Sequence, residues 1–304
     1  MADDKKLPHG PMAGFGILVW SNVSSKAKNT DARQPGTGSP IQMTLADGYG
    51  GRDSEDPDLR NDARVHRIMR FDGFGLERVV ADQELTFVTH HHWEDKYEGF
   101  LAREMKTMEG VIRVAKLLEK MNISVHAGLT AAQLQMTQHS LHMQSWTSAG
   151  EKCQMWEEYS PKDRTSVLIT TSLGKLRRME YMLAHKVLYR DNLTLEEEVA
   201  EVFPSPEALL MMDYSQLFRR KKKKEYAHEE EVRLVISSVG FEKPSETPTL
   251  RKVSFAEIED FIESVTVDPL ATDNHVDKVR LFCEANKIPF AGRSKLEGCK
   301  RRAE

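Results

Sequence analysis

Long apolar runs are missing from this 304-residue chain. No stretch approaches the roughly 18 uninterrupted apolar residues that a membrane-crossing helix needs, and Met1-Ala2-Asp3-Asp4-Lys5-Lys6 has no apolar signal segment behind its charges. Both absences lead to the expectation of a cytoplasmic protein with no membrane partner. Cysteine is scarce: Cys153, Cys283 and Cys299 form an odd, scattered set. Their spacing offers no disulfide framework and no Cys-x-x-Cys zinc half-site, so thiol chemistry is not expected. A large excess of one charge is also lacking, because the net charge is only -4. General attraction to nucleic acid is excluded on that ground, and any basic surface must be local. Gly14-x-Gly16 has neither a third glycine nor a following helix, which rules out a dinucleotide-binding loop.

What is present is the composition of an ordinary water-soluble domain, 39% hydrophobic and 30% charged. The length allows a substantial core without metal or disulfide staples. Residues 1–62 are rich in Gly, Pro, Ser, Asp and Asn, and read as a mostly flexible arm with one short apolar run, Gly14 to Trp20. Residues 63–298 are globular in composition, and 299–304 form a basic tail. The periodicities predict short helices near Leu76–Val80 and Cys153–Tyr159, and one long or two short helices over Glu98–Met121. Further helices are predicted near 130–139, 195–202, 206–218 and 276–286, and Phe255–Ile262 is amphipathic. Strands are predicted at Glu84–Thr89, Leu141–Trp146, Ser166–Thr171, His185–Tyr189, Val232–Ile236 and Ser264–Val267, and a Pro-rich loop at Lys243–Thr249. No internal repeat and no linker interrupts this order. A single α+β domain with a mixed sheet and surrounding helices is the economical reading.

The most informative run is His228-Glu229-Glu230-Glu231-Val232-Arg233-Leu234-Val235-Ile236. Glutamate is a poor strand former, so packing did not choose three carboxylates at the mouth of an apolar strand. In an extended chain Glu229, Glu231 and Arg233 share one face, giving an acid, acid, base row. That row fits a catalytic Glu-x-Glu pair, and it equally fits a strand-edge salt bridge or carboxylates answering the upstream cations.

Spaced motifs add a resemblance. Asp95-x-Tyr97-Glu98, Ser145-Trp146-Thr147, Met155-Trp156-x-x-Tyr159-Ser160 and Val167-x-Ile169-x-Thr171 are followed by Lys186-Val187-x-Tyr189. His228-Glu229-x-Glu231-Val232-Arg233-Leu234 and Ile262-x-x-Val265-x-Val267-x-Pro269 complete the series. Their order resembles the bacterial domain-of-unknown-function 2971 family over residues 64 to 298. Asp95-Lys96 stands where such proteins often carry Asp-Pro. A second resemblance carries chemistry. Glu229-x-Glu231-Val232-Arg233-Leu234-Val235 is similar to the Glu-x-Glu strand opening of Arg-Ser-Glu type ADP-ribosyltransferases, and Arg70-Phe71 to their first strand. Phe87-Val88-Thr89-His90-His91-His92 takes the place of the middle motif without its Ser-Thr-Ser.

That second resemblance implies an ADP-ribosyltransferase-like fold, with NAD as substrate and no metal. Glu231 would stabilise a ribosyl cation, as carboxylates do in glycoside chemistry, and Glu229 would manage the accepting nucleophile. Arg70 would grip the pyrophosphate. Trp156, Tyr159 and Ser160 are candidates for holding the cofactor, against core packing for the two rings. Asp95, Glu98, His228 and Arg233 are further pocket candidates, with helix capping the alternative for the first two.

Two other readings stand beside this one. Arg219, Arg220, Lys221, Lys222, Lys223 and Lys224 form a local basic run that would grip nucleic-acid phosphates in a non-catalytic module of a bacterial defence or toxin system, or would simply be solvated. A metal-dependent nuclease using Asp95, Glu98 and Glu231 is the third. Consecutive His90, His91 and His92 alternate faces in a strand and have no His-x-x-x-His partner, so they do not complete a metal site.

Overall fold

Val167 and Ile169, like Val265 and Val267, recur at every second position of two short segments, and that period makes the segments strands with an apolar face. A computed structural model describes residues 59–73, 75–89, 100–105, 107–123, 141–180, 182–191, 194–203, 220–221, 224–237 and 250–299. All lie within one compact unit, Gly48–Glu304. The strand expected at 14–20, the helices expected at 130–139 and 206–218, and His90 to Glu98 lie outside the described residues. So do Arg219, Lys222 and Lys223.

The architecture is α+β. Its strands are β1 (Arg64–Arg70), β2 (Glu84–Val88), β3 (Leu141–Thr147), β4 (Ser166–Ser172), β5 (Leu183–Lys186), β6 (Leu188–Tyr189), β7 (Arg220–Lys221), β8 (Glu231–Ser237), β9 (Leu250–Ser254), β10 (Ser264–Val267) and β11 (Phe290–Arg293). Around them lie α1 (Leu76–Asp82), α2 (Phe100–Glu104), α3 (Met108–Lys120), α4 (Cys153–Tyr159), α5 (Leu173–Met179), α6 (Leu195–Val202) and α7 (Asp273–Ala285). The main sheet runs β11-β10-β4-β1-β3-β2-β9, with β8 against β3 and β5 against β8. It is mixed: β10 and β11 are parallel, and the other pairs are antiparallel. One edge of β3 is paired throughout by β8, from Leu141↔Ser237 to Thr147↔Glu231. Its other edge meets β1 at His66↔Thr147 and β2 at Val88↔Met143.

Alternation assigns the two faces of this sheet to two cores. Val65, Trp146, Ile169, Val232, Leu234 and Val265 pack with residues of α1, α5 and α7. Leu141, Met143 and Val235 pack on the other side with residues of α2, α3 and α6. Leu59 belongs to the first core, and the Arg177 guanidinium donates to its carbonyl at 3.1 Å. The helical pattern over 98–121 breaks in two because Thr107 caps α3, its hydroxyl accepting from the Gly110 amide at 3.1 Å. A Cβ at Gly110 would lie 1.8 Å from the Glu104 carbonyl oxygen, so only glycine permits this crossing.

Three features depart from the sequence-based expectation. Phe255 to Ile262 forms no α-helix, only a short 3₁₀ turn at Ile258–Asp260, although its apolar residues share one helical stripe: β9 runs to Ser254 and the Phe255 amide donates to the Gln83 carbonyl at 3.0 Å, so the segment begins as a continuation of the ladder with β2. β9 and β11 are edge strands of weak pattern, made by pairing with β2 and β10. Cys153 and Cys299 form a disulfide across 146 positions, a partnership that spacing alone does not reveal. Cys283 is free and buried, and burial pushes its thiol up to about 12.

The disulfide joins the first residue of α4 to the C-terminal segment. For so long a loop the chain-entropy model assigns about 5 kcal/mol of stabilisation. Cys299→Ser is expected to lower the urea midpoint, and dithiothreitol to lower that of the parent to the same value. Identical midpoints for parent and variant under oxidising conditions would show that the cross-link contributes nothing.

Candidate functional site

Cross-strand register builds a polar row over the face opposite the first core. Ser264 faces Thr170, Thr170 faces His66, His66 faces Thr147, and Thr147 faces Glu231. Opposed residues of paired strands project to the same side, so β10, β4, β1, β3 and β8 each contribute one polar side chain. His66 and Thr170 hydrogen-bond at 3.0 Å, Nδ1 to Oγ1. Burial, ahead of the nearby Arg64, holds the His66 imidazole below its ordinary range and so neutral. Two residues along, a second row sets Ser145 of β3 opposite Arg233 of β8, and Arg233 opposite His185 of β5.

Glu231 is where these rows meet. Its Oε1 accepts from Ser145 Oγ at 2.5 Å, from Arg233 Nη2 at 2.8 Å and from Arg233 Nε at 3.2 Å. Its amide donates to the Tyr189 hydroxyl at 2.8 Å, and its carbonyl accepts from the Val187 amide at 2.9 Å. Glu231 is 3% exposed and Arg233 fully buried, whereas Ser145 is exposed. A carboxylate taken this far out of water requires a cation and hydrogen bonds, and it has both. The outlet of the cluster toward solvent is the Ser145 hydroxyl.

Glu229 reaches the same neighbourhood by a different route from the one an extended chain predicts. It ends a 3₁₀ helix, Lys224–Glu229, and Glu230 is left-handed with φ 41°, so β8 begins only at Glu231. The acid, acid, base order is therefore made by a turn as well as by strand alternation. A non-glycine residue in that conformation costs of order 1–2 kcal/mol. Compensating contacts surround it: the Glu230 carbonyl accepts from the Ser148 amide and hydroxyl, and its carboxylate pairs with Lys152 at 2.7 Å.

Helix α4 covers this turn. Lys152, its N-cap, donates to the His228 carbonyl at 2.9 Å, and Glu158 meets His228 Nε2 at 3.0 Å. The Tyr159 hydroxyl donates to Glu229 Oε1. Burial, and then the Glu229 carboxylate, push that phenol above its ordinary range, so it stays a proton donor. Thr147 Oγ1 donates to the Glu229 carbonyl at 2.5 Å, tying the turn back to β3.

The remaining candidates are dispersed. Trp156 is fully buried on the inner side of α4, and its carbonyl accepts from Arg164 at 3.0 Å. Ser160 Oγ donates to Asp268 Oδ2 at 2.5 Å, in a buried cluster with Arg164 at 3.6 Å from the same carboxylate. Arg70 lies four positions from His66, about 13 Å along β1, where it is exposed and paired with Asp72 at 3.3 Å. Asp95 and Glu98 lie outside the described residues. Among the described residues no group of three His, Cys, Asp or Glu side chains is placed to hold a metal, and no helix is long and apolar enough to cross a membrane.

Sequence reasoning singled out Glu229, Glu231, Arg233 and Tyr159, and these the structure brings together. As site residues it missed His66, Ser145, Thr147, Lys152 and Tyr189. The first three left no distinguishing signal, since polar residues recur throughout β1 (Arg-Val-His-Arg-Ile-Met-Arg) and β3 (Leu-His-Met-Gln-Ser-Trp-Thr) and only the cross-strand register picks these out.

No family model matches the chain and no curated protein matches it, so the resemblance to the domain-of-unknown-function 2971 family rests on the spaced motifs alone. Among solved structures the chain is similar to Thermus sp. 2.9 DarT in complex with ADP-ribosylated ssDNA, at 8% identity over 76% of this chain and 94% of that one. The TM-score is 0.32, too low for that likeness to bear on function.

Proposed function

We propose that the chain is a cytoplasmic enzyme that cleaves the nicotinamide-ribose bond of NAD and passes ADP-ribose to an acceptor or to water. The observation that carries this reading is the buried Glu231 carboxylate, ion-paired with Arg233 and hydrogen-bonded to an exposed serine, with a second acid two residues away. As nicotinamide departs with the bonding electron pair, positive charge develops at the ribose carbon. A fixed carboxylate in a water-poor setting stabilises that charge strongly. Arg233 holds Glu231 in one geometry, and Ser145 offers the solvent-side contact. Glu229 then accepts the proton of the attacking nucleophile, with Tyr159 orienting it. Arg70 takes the pyrophosphate in this reading, and the half-exposed Tyr159 ring provides a stacking surface for a base.

A second reading, nucleic-acid binding, rests on one further observation. β6 and β7 pair in parallel, Tyr189 with Lys221, and the Tyr189 hydroxyl accepts the Glu231 amide hydrogen. The backbone at Arg220 and Lys221 is thereby paired to the strand whose Tyr189 bonds Glu231. On this reading the run holds a polyanion, as acceptor for the enzyme or as ligand of a non-catalytic module.

Glu231→Gln is expected to reduce nicotinamide release by about 100-fold or more. Because Arg233 loses its counter-charge, the variant should also lose about 3 kcal/mol of stability. Turnover is therefore measured below the variant's own unfolding midpoint, with circular dichroism confirming the fold. Turnover equal to the parent's would remove Glu231 from the chemistry.

Glu229→Gln is expected to impair transfer to an acceptor more than NAD hydrolysis, and Tyr159→Phe to shift the same ratio in the same direction. Proportional losses of both activities would assign the pair a purely structural role.

Replacing Lys221, Lys222, Lys223 and Lys224 by Gln should weaken single-stranded DNA or RNA binding and flatten its dependence on salt. Binding that is unchanged, or undetectable in the parent, would make the run a solvated loop.

A further inference from the structure

Arg67 is out of place among its neighbours. Alternation along β1 sends its side chain to the face shared by Val65 and Met69, away from His66 and the polar row. Its direct partner on β4 is Ile169, and the His66↔Thr147 pair brings Trp146 of β3 alongside on the same face. Val65, Ile169 and Trp146 all belong to the first core. The Arg67 side chain is half-buried, and its Nη1 is sealed from solvent with no hydrogen-bond partner. No carboxylate among the described residues pairs with it. Burial pushes the guanidinium down to about 10, which leaves it charged at neutral pH.

A cation held in apolar surroundings without a counter-charge is strongly destabilising, and a methionine of similar length would fill the space without that cost. The two buried arginines among the described residues each have an answering group: Arg233 has Glu231, and Arg164 has Asp268. Arg67 has none among the described residues. We propose that Arg67 forms a binding site for an oxyanion, the phosphate or carboxylate group of a small ligand, held by the planar guanidinium fork of this half-buried side chain. This site lies on the opposite sheet face from Glu231. It stands or falls independently of the NAD reading.

The test follows thermal unfolding of the full chain in pyrophosphate, in succinate, and in sodium chloride at matched ionic strength. One of the two oxyanions should raise the parent's midpoint in a saturable manner while chloride does not. Which one does so tells a phosphate ligand from a carboxylate ligand. Arg67→Met should abolish the shift and, without added anion, should be at least as stable as the parent. Arg67→Lys keeps the charge but loses the fork, and should bind about tenfold more weakly. The proposal is overturned if neither oxyanion shifts the parent, or if Arg67→Met responds as the parent does. It is also overturned if Arg67→Met unfolds in the absence of anion, because the guanidinium would then have a structural role within the chain.

Discussion

The ion pair between Glu231 and Arg233 constrains the register of the central strands. Both side chains are buried on the same face of β8, and neither tolerates transfer to the other face, where Val232, Leu234 and Ile236 enter the first core. A slip of one residue against β3 would exchange these sets, placing two charges in hydrocarbon and three apolar side chains in the polar rows. The pairing from Leu141↔Ser237 to Thr147↔Glu231 is therefore specified twice, by the apolar face and by the ionic one. Ser145 and Thr147 sit opposite Arg233 and Glu231 in consequence, and the polar row continues outward through His66 and Thr170.

Around this fixed strand the turn at Glu229 and Glu230 is held from outside. Helix α4 has seven residues, too few to persist on propensity alone. Its position comes from contacts at both ends: the disulfide at Cys153, the Lys152 bonds to the turn, the Tyr159 bond to Glu229, and the buried Ser160, Arg164 and Asp268 cluster beyond its last residue. The helix thus transmits the packing of the C-terminal segment to the acidic turn. Trp156 anchors it inward, which leaves Tyr159 as the aromatic residue of α4 that faces the acids.

The two faces of β1 illustrate how one strand carries opposite kinds of polar group. His66 is neutral, hydrogen-bonded to Thr170, and part of the row that ends at Glu231. Arg67, the next residue, is charged and faces the first core. Packing explains the histidine, whose partner is on the adjacent strand. It does not explain the arginine.

The sequence by itself determined the α+β class, most strand positions and the importance of the 228–236 run, because period-two apolar alternation and misplaced carboxylates are local signals. It also singled out Glu229, Glu231, Arg233 and Tyr159, since each stands out by chemistry within its own segment. The convergence of Ser145, Thr147, His66 and Tyr189 on that run was decided by strand register and a crossover, which couple residues from four separate segments. Burial of Ser160 with Asp268, 108 positions apart, and the Cys153–Cys299 bond likewise depend on long-range closure. The departure of Glu229 from the strand was decided by the left-handed residue at Glu230, a conformation that glutamate adopts only where tertiary contacts hold it, and no pattern in the neighbouring residues announces such contacts.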